Sequence, residues 1–425
     1  LQETAAKFTR EFNKVGAQMR GDADSLAQSI TQTISKTDSD SQTKKQQLAA
    51  KRVDELKRRE RRLREGIERG LQRMDLACQR VEDRFPDWPG IVSAAPTGTQ
   101  QLPCIPVGRL LVTDRLRHLL AGTKGNNGVP GGASPSLFGA SLPEAIPVVL
   151  HRRIQTGLII NAAPTQLDQG IDLAQAILWR LLCGVAPGRA KLTLIDPIGR
   201  GQNFASFMSM TDYQPDLVGH RVWSGERQIE ERLAELAHHA EDILQVNLRD
   251  RYERIEEYNA IAGSMFEPYR GIAAIGFPES LTRDSYKHLR AIIDSSTRCG
   301  VFIVLICDQS RPWPSDMPMP TDRRMLRLTI DADGRWQHDS PDLGEITFQP
   351  TTSPPSAIRS GIIQQIGTGA VAALKVEIPF DSIASSSSLL SISSDALPTI
   401  PSLPPIDRSD HQLIVPIGVQ GARRL

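Results

Sequence analysis

Between Arg189 and Pro312 the chain places three short apolar runs, Ala190–Ile195, Gly271–Phe277 and Gly300–Cys307, with long helix-patterned segments between them. Gly271–Phe277 and Gly300–Cys307 do not alternate apolar with polar residues, so each must be buried on both faces. Strands of that kind, separated by helices, imply a parallel sheet covered on both sides. The expected fold class is therefore α/β.

The flanking segments extend this core. Ile146–His151 and Leu158–Ala162 read as two strands joined by a turn, and the apolar spacing of Ile171, Ala174, Ile177, Leu178, Leu181 and Leu182 predicts a helix from Leu167. Glu226–Asn259 reads as one very long helix and Arg283–Arg298 as another. Arg324–Gln337 alternates around Asp331-Ala-Asp-Gly334, the signature of a hairpin turn. Thr352–Leu374 reads as a Pro-rich entry and a helix, and Val376–Phe380 as a further strand. The core is of the P-loop or Rossmann kind.

Residues 1–85 are almost free of Gly and Pro and rich in Lys, Arg, Glu, Gln and Ala. Val53, Leu56, Leu63, Ile67, Met74 and Val81 follow a heptad-like spacing, which predicts a long helix, as a helical hairpin or short coiled coil with a break near Thr37–Ser41. Arg58, Arg62, Arg69 and Arg73 make this segment locally basic. They are candidates for contact with nucleic acid or an acidic partner; the alternative is a solvated face neutralised by Glu55, Glu60, Glu65 and Glu68. Phe85-Pro-Asp-Trp-Pro-Gly90 ends the helix. The domain reading is a helical segment 1–85, a connecting region 86–145 with a strand at Arg109–Val112 and a Gly/Ser/Pro loop at 122–139, an α/β domain 146–382, a Ser/Pro linker 383–410, and the start of something new at 411–425.

With a formal net charge of +1, no global basic field announces nucleic acid. The five cysteines form no CxxC pair, and Cys183, Cys299 and Cys307 sit in apolar runs, where a thiol acts as a small hydrophobe; a reducing cytoplasm is expected. The histidines show no metal spacing, His238–His239 being adjacent on one helix, so no metal site is expected. No apolar run reaches the roughly 20 residues of a membrane span. The chain begins at Leu1 and reads as a fragment.

Four landmarks in the α/β region carry a specific resemblance: Leu194-Ile-Asp196-Pro197 at a strand end; Arg251-Tyr252 and Tyr258-Asn259 along the next helix; Glu267-Pro-Tyr269 entering an apolar strand; and Cys299-Gly-Val-Phe-Ile-Val-Leu-Ile-Cys-Asp308-Gln-Ser-Arg-Pro312. In this order they resemble the FtsK/SpoIIIE–HerA superfamily of ring-forming motor ATPases. That resemblance implies a RecA-like domain, a homo-oligomeric ring, ATP with Mg as cofactors and double-stranded DNA as the partner of the full-length protein.

The phosphate-handling residues of that family are missing. A P-loop needs GxxxxGK[ST], whose backbone N–H groups wrap the phosphates. Here Ala163-Pro164-Thr165-Gln166 joins the strand to the helix, and Pro164 removes one donor. The Walker B carboxylates fall at Ile275-Gly276. No catalytic residue and no nucleotide are expected in this segment. Asp196 is a ligand candidate at a strand C-terminus, or else the residue that turns the chain before Pro197. Asp308 is sensor-like or a loop carboxylate. Arg298 is either an arginine finger acting on a neighbour's ATP or a solvated helix-end side chain. Gly199-Arg-Gly201 lacks the third glycine of a dinucleotide fingerprint.

The expected function is a non-catalytic regulatory or assembly domain of an FtsK/SpoIIIE-type DNA translocase, with the active ATPase downstream and a protein partner at the N-terminal helices. The alternatives are a substrate-binding degenerate domain of a type VII secretion-like translocase, or a coiled-coil scaffold without a motor.

Overall fold

The computed structural model describes residues 2–93, 102, 104–111, 143–320, 323–338, 347–374, 419–420 and 423–424. The expected loop 122–139, the strand Val376–Phe380 and the linker 383–410 lie outside the described residues. By contacts the chain divides into two units, one holding residues 1–73 and 124–141, the other 74–123 and 142–425.

In the first unit the described part is a single helix. It belongs to α1 (Gln2–Arg84), which is continuous through Thr37–Ser41, so the expected break is absent. The reason is local. Thr33, Thr37 and Thr43 donate their hydroxyls to the carbonyls of Ser29, Thr33 and Ser39, 2.8–2.9 Å away, and so stay inside the helical ladder.

In the second unit α2 (Trp88–Ser93) follows the last turns of α1, then β1 (Cys104–Leu111), β2 (Ala145–His151) and β3 (Gly157–Ala162). α3 (Leu167–Cys183), β4 (Ala190–Ile195), the short α4 (Ala205–Met208), β5 (Val222–Trp223), α5 (Glu226–Asp242) and α6 (Ile255–Asn259) come next. β6 (Tyr269–Phe277), α7 (Arg283–Cys299), β7 (Val301–Asp308), β8 (Met325–Ile330), β9 (Trp336–His338), β10 (Thr347–Pro350) and α8 (Ser356–Leu374) complete it, apart from β11 (Val419–Gln420) and β12 (Arg423–Arg424).

The main sheet has the order β5-β4-β6-β7-β3-β8-β9, parallel except for the β8–β9 hairpin. Its first long strand, β3, lies between the fourth, β7, and the fifth, β8. That is the arrangement of a RecA-like α/β core. Successive residues of each strand feed opposite layers. Leu158 and Ile160 join one apolar cluster with α3 and α8, while Ile159 joins the other with α5 and α7.

β2 does not pair with β3. It pairs antiparallel with β1, which also pairs with β10, in a separate three-stranded sheet. Two buried links tie this region to the core. Arg180 of α3 stacks 3.9 Å from the Trp88 ring and donates to the Pro86 carbonyl at 2.6 Å. Burial lowers its pKa to about 10, still far above neutrality. Trp88 in turn donates to the Thr352 carbonyl at 2.9 Å.

The expected single helix Glu226–Asn259 is broken. A π-helical turn, Ile243–Leu248, follows α5, and Arg249 adopts φ 47°, which no α-helix accommodates. Beyond the break, α6 brings the landmark residues together. Tyr252 and Tyr258 meet edge to face at 6.1 Å, Arg251 lies 5.5 Å from the Tyr252 ring, and Tyr258 donates to the Met265 carbonyl. Asn259, almost fully buried, clamps the backbone of Glu267 from both sides, Nδ2 to its carbonyl at 2.8 Å and Oδ1 from its N–H at 2.7 Å. The Glu267 side chain meets His239 at 2.8 Å and Arg270 at 3.2 Å. Burial pushes its pKa up, but His239 and Arg270 together outweigh that and hold it below the usual value.

Asn259→Ala leaves two backbone groups of Glu267 without partners and is expected to cost about 2 kcal/mol in urea unfolding, with the folded spectrum unchanged. The depressed Glu267 pKa gives stability that is present above its unfolded value, about pH 4.3, and is lost as pH falls through the lower folded value. Urea midpoints measured from pH 3 to 7 are therefore expected to fall less steeply below about pH 4.3 in Glu267→Gln than in the parent.

Candidate functional site

In an open parallel sheet, ligands bind beyond the carboxyl ends of the strands, at the place where the strand order reverses. Here that place is the end of β3, between β7 and β8. The structure places Ala163–Gln166, Asp196, Pro197, Ile275, Gly276 and Asp308 at this edge, at or just beyond the ends of β3, β4, β6 and β7. Arg251, Tyr252, Tyr258, Asn259 and Arg298 lie at the opposite edge, before β6 and β7 begin. Arg58, Arg62, Arg69 and Arg73 are exposed on α1; Arg58 is held by Asp54 at 3.2 Å.

The β3–α3 connection is a closed turn. Pro164–Gln166 forms a single 3-10 turn that runs straight into α3, and the Gln166 N–H is consumed by the Ala163 carbonyl at 2.8 Å. Gln166 reaches the Ala332 carbonyl at 3.1 Å, Gln169 donates to Gln166 at 2.7 Å, and Trp336 donates to Gln169 at 3.2 Å. These contacts tie the β8–β9 turn to the start of α3. From the other side, Gln309 donates its side-chain amide to the Asn161 carbonyl at 3.1 Å and its N–H to the Ala162 carbonyl at 3.0 Å. No Lys or Arg occurs from Ala163 to Gln169, and Asp168 already supplies a carboxylate to the first turn of α3. MgATP does not fit such a connection. From Ala163 to Gln169 it has no glycine and no cation, and Pro164 removes one N–H donor.

The Walker B positions are equally unsuited. Ile275 is buried, and Gly276 has φ 78°, with Ile198 packed so closely that a Cβ at Gly276 would lie 2.0 Å from the Ile198 Cδ1. An apolar side chain covers the place where a carboxylate would stand.

Asp196 is a structural residue. It is fully buried and both its oxygens are occupied, Oδ1 by the Gly199 N–H at 2.8 Å and Asn203 Nδ2 at 3.2 Å, Oδ2 by the N–H groups of Gly201 at 3.0 Å and Asn203 at 3.2 Å. The Gly199–Gly201 turn, with Arg200 and Gly201 at positive φ, is thus a nest of N–H groups whose anion is the chain's own carboxylate. Asp308 is also committed: one oxygen accepts from the Ser310 N–H at 2.8 Å and hydroxyl at 2.7 Å. Arg298 donates from Nε to the Glu253 carbonyl at 3.1 Å. Cys183, Cys299 and Cys307 are pushed up to about 12 by burial and are not nucleophiles at neutral pH.

Sequence reasoning found Gln166 but not Gln169, Trp336 or Ile198, which complete the closure. Gln169 lies one helical turn after Gln166, a spacing that could have signalled the pair.

No family model matches the chain, and no curated protein does. Among solved structures it is similar to Thermomonospora curvata EccC (ATPases 2 and 3) in complex with a signal sequence peptide, at 12% identity and a TM-score of 0.38, covering 54% of this chain and 44% of that one. It is similar to EssC (ATPases 2 and 3) from Geobacillus thermodenitrificans at 10% identity and a TM-score of 0.42, over 78% of this chain and 60% of that one. The pCW3 conjugation coupling protein TcpA, in its monomer form with ATPγS, matches at 11% and 0.41, over 65% and 75%. The chain spans less than two thirds of the first two, and the strand order above, not these likenesses, establishes the fold. Among the described residues no helix is long and apolar enough to cross a membrane.

Asp196→Ala strips four donors of their acceptor and is expected to cost about 2–4 kcal/mol in urea unfolding. An unchanged midpoint would show that the carboxylate does not hold the turn.

Proposed function

We propose that this chain provides a nucleotide-silent ATPase-type domain of the FtsK/SpoIIIE kind, which assembles with or regulates active ATPase domains of a DNA translocase. The observation that carries this reading is the closed β3–α3 turn, where Gln166 and Gln169 bind the β8–β9 turn and leave no phosphate cradle. The retained RecA-like sheet supplies a surface for packing against similar domains in a ring. The catalytic groups, ATP and Mg then belong to another domain. On this reading Arg298 is the residue assigned to a neighbour's nucleotide, and work in the cytoplasm on double-stranded DNA is the expected setting.

Calorimetric titration of the chain with MgATP is expected to show no saturable binding tighter than about 1 mM. Micromolar binding would overturn the silent reading. The translocated substrate is tested separately on the complete protein. Duplex DNA affinity that falls steeply with salt supports a DNA translocase, because phosphate contacts release counterions. Saturable binding of an exported polypeptide without DNA affinity would move the domain to protein export.

A further inference from the structure

Along α1 many large apolar side chains of the first unit are open to solvent, although Ile67 is half-buried and Leu71 is buried. Phe12 is 71% exposed, Met19 69%, Leu26 62% and Leu56 64%, and Val15, Ile30, Ile34, Leu48 and Leu63 are exposed as well. Their spacing is not random. Val15, Leu26 and Leu48 lie on one ladder with an 11-residue repeat, Met19, Ile30 and Leu63 on a second, and Phe12, Ile34, Leu56 and Ile67 on a third. An 11-residue repeat is about 3.67 residues per turn, so the three ladders form one nearly straight stripe. An uncovered apolar stripe of this length marks a contact surface.

The stripe is also symmetric about Ser41. Ile34 and Leu48 stand 7 residues to either side of it, Leu26 and Leu56 15, Met19 and Leu63 22, and Val15 and Ile67 26. We propose that the stripe is covered by a second copy of the same chain running antiparallel, with the two-fold axis at Ser41. Each of these apolar residues then meets its mirror counterpart, as an isologous contact requires.

The polar residues of the stripe decide between orientations. Lys45, Arg52 and Arg59 occupy ladder positions. In a parallel pair each would face its own copy, cation against cation. In the antiparallel pair Lys45 faces Thr37, Arg52 faces Ile30 and Arg59 faces Ala23. The flanking charges agree. On one side Arg20 comes beside Glu60; on the other Asp22 comes beside Arg62, Glu11 beside Arg73, and Asp40 beside Lys44. Arg64 also approaches Arg20, but it is already paired with Glu60 of its own helix at 3.8 Å. A hairpin folded at Thr37–Ser41 would join the same residues within one chain. The threonine hydroxyls carry the helix straight through that point, so the partner comes from a second molecule.

The test uses the full chain in a Cys78→Ser background, by sedimentation at tens of micromolar and by disulfide trapping. A dimer is expected. Ser41→Cys alone is expected to cross-link two chains, Leu26→Cys alone to fail, and Leu26→Cys with Leu56→Cys to cross-link again. Arg62→Glu is expected to weaken the dimer up to about tenfold, with recovery on adding Asp22→Arg. A monomer, a cross-link through Leu26→Cys alone, or a closed monomer from the double-cysteine chain would each overturn the proposal; the last two would indicate a parallel coil and a hairpin. None of these outcomes depends on nucleotide binding.

Discussion

Burial of the parallel sheet on both faces is the constraint on which the rest of the second unit depends. Leu158, Ile159 and Ile160 are consecutive and all have zero exposure, so neither face of β3 can carry a functional group. The same holds along β7, where Val301–Cys307 is uninterrupted apolar chain. Chemistry can only appear where the strands end. At those ends every backbone donor and acceptor still needs a partner. The chain meets part of that need from within, through Asp196, Asp308, Gln166 and Gln309.

That economy explains how a RecA-like core persists without a phosphate cradle. A P-loop leaves several N–H groups and a lysine waiting for an anion, an arrangement that costs stability until the ligand arrives. A 3-10 turn with glutamine contacts carries no such cost. Asn259 clamps the entry to β6, and Asp196 holds the turn after β4. Neither contact involves a nucleotide.

Much of this was legible in the sequence, because continuous apolar runs and helical spacing are strong local signals. The parallel strands and the β8–β9 hairpin could both be read from residues within a few positions of one another. The three-stranded sheet could not. β1 pairs with β10 across more than two hundred residues, and no local pattern records that partner. The break after Leu248 was hidden for a different reason. Leu248-Arg-Asp-Arg-Tyr252 contains neither Gly nor Pro, and the turn is imposed by packing of Leu248, Ile255 and Tyr258 into the second core layer. The run Thr37–Ser41 misled in the opposite sense: hydroxyl side chains that favour helix ends in isolation here bond back along the ladder.

The two units differ in how they satisfy their apolar groups. In the second unit the Leu, Ile and Val residues of the sheet are covered by the chain itself, and Asp196 and Asp308 at the strand ends are matched internally. In α1 the apolar groups are ordered with equal regularity but face water. A long helix with few tertiary contacts gains little from propensity alone, and most helical stability comes from a packed apolar face. The stripe from Phe12 to Ile67 is such a face without its cover, and its symmetry about Ser41 describes the shape of what covers it. A helix that matches its own reverse needs no other sequence to complete it. Assembly information would then lie in α1 and the fold in the sheet.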